Sequence, residues 1–194
     1  MVQQSAPERF VHGLSRQTLH FFVVAAIALA LAVAIARGLM SVFPQRATTG
    51  QLQFSNAFWV TSLLLILGSL SLETALHYVR VEKQAPFRMW LIVGLTFGVL
   101  FMGVQTFAIW SMFPPNRTAE DASMESTAFA LTIAALHAIH FFVAVLFVSW
   151  VTARTWSNRY DHEYHWGVRF CAWFWHALGV VWIVILLLFC IVSR

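Results

Sequence analysis

Charged side chains are scarce in this sequence. Asp, Glu, Lys and Arg make up 10% of its 194 residues, where a soluble domain carries about a quarter. That excludes an ordinary water-soluble globule. The basic residues stand singly near the ends of apolar runs, and the net charge is only +4. No clustered basic face exists for a nucleic acid to grip. Cysteine is nearly absent. Cys171 and Cys190 both lie in the last apolar run; on one helix they stand about 28 Å apart, and a disulfide needs Cα atoms within about 7 Å. No Gly-x-Ser-x-Gly, His-Glu-x-x-His, Walker-type loop or Cys-x-x-Cys appears, which removes the common signatures of nucleophilic, zinc, nucleotide and redox chemistry.

What the chain has instead is length of apolar sequence. Hydrophobic residues make up 60% of it, with 18 Phe and 9 Trp. Runs long enough to cross a bilayer occupy about 19–43, 54–79, 87–113, 127–152 and 168–192. Between them lie FPQRATTGQ, RVEKQAP, FPPNRTAEDASMES and RTWSNRYDHEYHW, none long enough for a separate soluble domain. The expected fold is therefore all-α, a single membrane domain of five transmembrane helices over residues 1–194. Ala34 to Ala36 resembles a signal-cleavage site, but the apolar run before it is long for a signal core and polar-to-mixed residues precede it. The first run is read as a retained span.

Basic residues give a direction. With the N-terminus inside, Arg9, Arg16, Arg80, Lys83, Arg88, Arg154, Arg159 and Arg169 fall on the inner side, and Arg37, Arg46, Arg117 and Arg194 on the outer. Eight against four favours N-in, C-out. Trp90, Trp110, Trp156 and Trp166 fall near span ends, as an interfacial belt requires.

Ionisable groups inside the spans are costly and mark function by default. Glu73 and His77 sit at i, i+4 in the second run, a spacing that lets them pair on one face as an inner-face polar couple. A lone acid there is no proton relay. Gln105 lies in the third run, His137 and His140 in the fourth, and His176 in the fifth. Two uses are open for these histidines. Imidazoles on facing helices bind haem or a metal, so His137 or His140 with His176 is a candidate ligand pair. The commoner use is hydrogen bonding between helices. Small residues at Leu67 to Ser71 and at Gly94, Gly98 and Gly103 mark places where helices come close. On the fifth run Trp175, Gly179 and Trp182 form one stripe with His176 beside it.

The order of these motifs resembles a known family. LGSLSLETALHYVR, then GLTFGVLFMGVQTF, then LHAIHFFVAVLF, then WFWHALGVVWIVILLLF together resemble subunit III of the haem–copper oxidases, the cytochrome c and quinol oxidase family. That family carries Leu/Phe-His-Gly-Leu-His in its penultimate span, which His137 and His140 match. It carries Tyr-Trp-His-Phe-Val-Asp-Val-Val-Trp in its last, which Trp175, His176, Val180, Val181 and Trp182 match. Gln105 corresponds to a glutamine near the end of the equivalent of the third span. The likeness covers roughly residues 54–191. Many bacterial members have five spans with N-in, C-out topology.

The resemblance implies a non-catalytic, multi-pass subunit of a respiratory terminal oxidase in a bacterial inner membrane. Such a subunit binds no haem or copper itself; those belong to partner subunits. It packs on the large catalytic subunit, beside other oxidase subunits, stabilises it and holds membrane lipid. The histidines, Gln105 and the two tryptophans are then packing and hydrogen-bonding residues. The alternatives are an accessory subunit of a nitric oxide reductase and a stand-alone haem-binding membrane protein. Several family carboxylates are missing: Gly179 stands where the family has Asp, Arg169 where it has Glu, and neither 19–36 nor 106–110 holds an acid. Ala138 replaces the glycine between the span-four histidines. Roles of those acids do not carry over.

Overall fold

A computed structural model describes residues 6–43, 56–111, 125–155 and 165–192, with side chains described for 17–43, 56–111, 132–155 and 165–188. Within these the chain forms five helices and no strand: α1 (Ala6–Val42), α2 (Ala57–Arg80), α3 (Gln84–Ser111), α4 (Glu125–Thr155) and α5 (Trp166–Val192). Each contains a stretch long and apolar enough to cross a membrane. The shortest helix, α2, has 24 residues, about 36 Å at 1.5 Å per residue against a hydrocarbon thickness of about 30 Å. The chain is a multi-pass α-helical membrane protein.

The helices match the five apolar runs, with one difference of note. α1 begins at Ala6 instead of at residue 19, because APERFVHGLSRQT holds nothing that stops a helix. Its Pro7 falls in the first turn, where the missing N–H costs nothing. Apart from Phe43, Asn56 and His165, the α1–α2, α3–α4 and α4–α5 connections, with Trp156, lie outside the described residues.

Contacts place the helices in a closed ring, α1–α3–α2–α5–α4, with α3 also reaching across to α4. α2 and α3 are the tightest pair, joined by a turn of three residues. There Glu82 N–H meets the Val79 carbonyl (3.2 Å) and Lys83 N–H the Tyr78 carbonyl (3.0 Å). This is the Schellman arrangement, with Glu82 at φ 58° in the position that favours glycine. Glu82→Gly is expected to raise stability by about 1 kcal/mol, the left-handed penalty of an L-residue less glycine's extra unfolded freedom; the midpoint of denaturant unfolding in detergent measures it.

The core is lined by the buried stripe of each helix. On α5 that stripe is Trp175, Leu178, Trp182 and Ile185, while Val180, Ile183, Val184 and Leu187 face outward, the 3.6-residue period of a helix with one protein side and one lipid side. α1 meets its neighbours through alanines, with Ala25, Ala28, Ala32 and Ala36 all buried. Exposed hydroxyls are satisfied within their own helices. Thr74, Thr96 and Thr106 each donate to the carbonyl four residues back, as lipid supplies no other partner.

Candidate functional site

The chemistry-bearing residues converge on the seam between α2 and α5. Its centre is Trp175, 1% exposed. The indole N–H donates to the Leu65 carbonyl of α2 at 3.2 Å. The ring lies over Gly68 of α2, where an added Cβ would stand 2.5 Å from Cζ2, and over Gly98 of α3, where it would stand 3.1 Å from Cη2. Its face meets Phe141 of α4 edge-on at 4.9 Å. One side chain of α5 thus touches all three helices around it, and only glycine leaves room for it. Two turns on, Trp182 repeats the pattern. It donates to Ser62 Oγ (3.2 Å), packs on Phe58 and Phe101 and stacks on His137 at 5.2 Å and 23°. Gly179, between the two, faces Leu65 at ordinary contact distance.

His176, next to Trp175, turns toward the rim of the seam. Its Nε2 lies 2.9 Å from Glu73 Oε1 and its Nδ1 3.2 Å from Ser69 Oγ. With Nε2–H donating to the carboxylate, a neutral ring leaves Nδ1 to accept the Ser69 hydroxyl. Ser69 and Glu73 are themselves i, i+4 on α2, so one helical face presents both partners. The expected pairing of Glu73 with His77 is therefore replaced. The acid pairs with α5, and His77 lies exposed with its ring against Tyr78. The i, i+4 spacing put two side chains on one face; it carried no information that a third helix would supply a nearer nitrogen.

His137 and His140 part company. Three residues turn a helix by about 300°, which leaves neighbours about 60° apart, and here that angle spans the boundary between core and surface. His137 is buried in an aromatic cluster of Phe101, Phe141 and Trp182. His140 is exposed, with Nδ1 2.7 Å from the Leu136 carbonyl. Gln105 is 3% exposed on α3, one turn beyond Phe101. Among the described residues neither its amide nor either nitrogen of His137 meets a hydrogen-bond partner. A buried polar group left so costs free energy that an apolar one does not. Gln105→Met, close in volume, is accordingly expected to hold or raise the thermal stability of the isolated subunit by about 1 kcal/mol; a clear drop in the melting temperature would contradict it. The described residues contain no group of three or more His, Cys, Asp or Glu able to hold a metal. Cys171 is a buried free thiol in α5.

Sequence reasoning singled out the stripe on α5 and the small residues of α2 and α3, but not their union. It did not find Ser69 or Ser62, the hydroxyl partners of His176 and Trp182. Ser69 was legible only as one of the small residues between Leu67 and Ser71, and Ser62 was not marked.

Comparison with known proteins bears on the same helices. Cytochrome c oxidase subunit 3 of Lumbricus terrestris is 31% identical over 134 residues, 69% of this chain and 49% of the relative. The protein of the same name from Spodoptera frugiperda is 25% identical over 124 residues, 64% of this chain and 81% of the relative. That of Branchiostoma floridae is 27% identical over 131 residues, 66% of this chain and 48% of the relative. The chain spans about half the length of the annelid and lancelet relatives. The family profile described as Cytochrome c oxidase subunit III matches residues 51–193, which takes in α2 to α5 and the whole tryptophan seam, and the chain belongs to that family.

Proposed function

We propose that the chain is a non-catalytic structural subunit of a respiratory haem–copper terminal oxidase in a bacterial plasma membrane. It packs on the large catalytic subunit and keeps it stable through turnover. The observation that carries this reading is the family match across α2 to α5. Haem and copper are assigned to the partner subunits. In support, His176 has both ring nitrogens engaged by Glu73 and Ser69, so it offers no free nitrogen to pair with His137 or His140 across the bundle. Lipid is the second ligand of the proposal. A groove of about 260 Å³ between α1 and α3, lined by Ile27, Ala28, Leu31, Ile35, Leu95 and Val99, has the apolar walls an acyl chain requires.

Purification in a gentle detergent tests the reading. The chain is expected to copurify with a large multi-span haem–copper subunit, and that complex to consume oxygen. Consumption of nitric oxide in place of oxygen would assign the chain to a reductase. A Soret band from the purified chain alone that vanishes with His176→Ala would replace the structural reading with haem binding. In the complex, His176→Ala is expected to weaken retention of this subunit while haem per catalytic subunit stays unchanged over short times.

A further inference from the structure

The pair formed by Glu73 and His176 stands where an isolated bundle gains little from it. α2 has 24 residues, about 36 Å, and Glu73 lies about 10 Å from its end at Arg80, within a hydrocarbon layer of about 30 Å. His176 lies about 15 Å into α5. Yet the two side chains remain 49% and 39% exposed. Apart from the exposed His77 one turn from Glu73, this rim is apolar: Ile66 and Leu70 on α2, and Trp173 and Val180 on α5, are each more than half exposed. Glu73 uses Oε1 for His176, and no donor among the described residues reaches Oε2. A carboxylate with an open acceptor facing lipid is among the most expensive arrangements in a membrane. His140, also exposed, is cheaper, since a neutral ring with one nitrogen bonded carries no charge. On the α1–α3 side the exposed hydroxyl Thr96 is satisfied within its own helix.

We propose that the rim of the α2–α5 seam, centred on Glu73 and His176, is the face that docks a transmembrane helix of a partner subunit, one that presents a hydrogen-bond donor to Glu73 Oε2. His176, itself held by Ser69, fixes the carboxylate from within, so the acid meets its partner with fewer rotamers left to lose. Leu70, Ile66 and Val180 supply the apolar surround that excludes lipid and water from the bond. The assignment rests on the reading of the chain as a member of a multi-subunit membrane complex, but names a face that reading leaves open.

Photo-crosslinking in the assembled complex tests it. A benzoylphenylalanine is placed at Leu70 or Val180 on the proposed face, and at Ile27 or Ile92 on the α1–α3 face. Leu70 and Val180 are expected to give adducts that map to one helix of the copurifying haem–copper subunit, with a donor side chain in reach. Ile27 and Ile92 are expected to give lipid adducts. Glu73→Leu is expected to reduce the Leu70 adduct about tenfold, the scale of a lost hydrogen bond to a charged group, and Glu73→Gln less, since its one carbonyl oxygen can serve the partner once His176 changes tautomer and Nε2 accepts from the amide NH2. The adduct positions in the unsubstituted Glu73 background stand even if Glu73→Leu folds poorly. Adducts only to lipid, or only to a second copy of this chain, overturn the docking face. Adducts to the haem–copper subunit from Ile27 or Ile92 alone overturn it while leaving the proposed function intact. Absence of any haem–copper subunit, with Leu70 adducts that map to a donor-bearing helix of another stably copurified subunit and fall with Glu73→Leu, overturns the proposed function and keeps the face.

Discussion

Replacing Trp175 with alanine is expected to destabilise the bundle by about 3–5 kcal/mol, the range for emptying a buried Trp or Phe site. The ring is 1% exposed and in contact with α2, α3 and α4 at once, so no single helix shift can close the cavity. The reverse fit is as strict. Gly68→Ala places a methyl 2.5 Å from Trp175 Cζ2, a distance that forces ring or helix to move. Overpacking of this kind costs about 1–3 kcal/mol, partly offset by about 1 kcal/mol of helix propensity gained over glycine. In a chain that already carries Trp175→Ala the clash is gone and only the propensity gain remains, so Gly68→Ala changes sign and becomes stabilising. Denaturant unfolding of the four proteins in mixed micelles measures the coupling. Additive effects would mean that the ring does not rest on Gly68.

How much of this was legible in the sequence follows from what each signal encodes. Span number and approximate length were, because about twenty apolar residues in a row have few uses besides crossing a bilayer. The start of α1 was not, since hydropathy reports where lipid begins and the helix continues past it. The stripe of Trp175, Gly179 and Trp182 was visible as a face of α5, and Gly68 and Gly98 as small residues. Which ring enters which gap depends on the register of helices about a hundred residues apart, and nothing local encodes that. Glu73 shows the same limit. Local spacing offers the basic partners His77 at i+4 and Arg80 at i+7, while the actual partner, His176, lies 103 residues on. The alanine stripe of α1 went unmarked because alanine counts as apolar wherever it faces; its small size matters only once α3 lies against it.

That last contact carries the second large expected effect. At Gly103 an added Cβ would stand 2.7 Å from Ile35 Cβ and Cγ2 and 3.0 Å from the Ala32 carbonyl oxygen. The carbonyl is backbone and Ile35 is stiff at χ1, so neither gives way by a rotamer change. Gly103→Leu therefore moves α1 as a body. Little opposes the move, since only 17% of the α1 span is buried and what is buried is mostly alanine, with small contact area. Spin labels at Ile27 and Ile92, which line the same α1–α3 groove, are expected to show a longer and broader distance distribution in Gly103→Leu. Gly103→Ala is expected to give a smaller change of the same sign. The seam residues lie on α2 and α5, so the thermal stability of that half and retention in the complex through Glu73 are expected to change far less. Gly38→Leu supplies the control: a Cβ there meets nothing within 4 Å, and the label distance is expected to stay where it is. An equal response from both glycines would show that α1 is held by bulk hydrophobicity rather than by the close approach at Gly103.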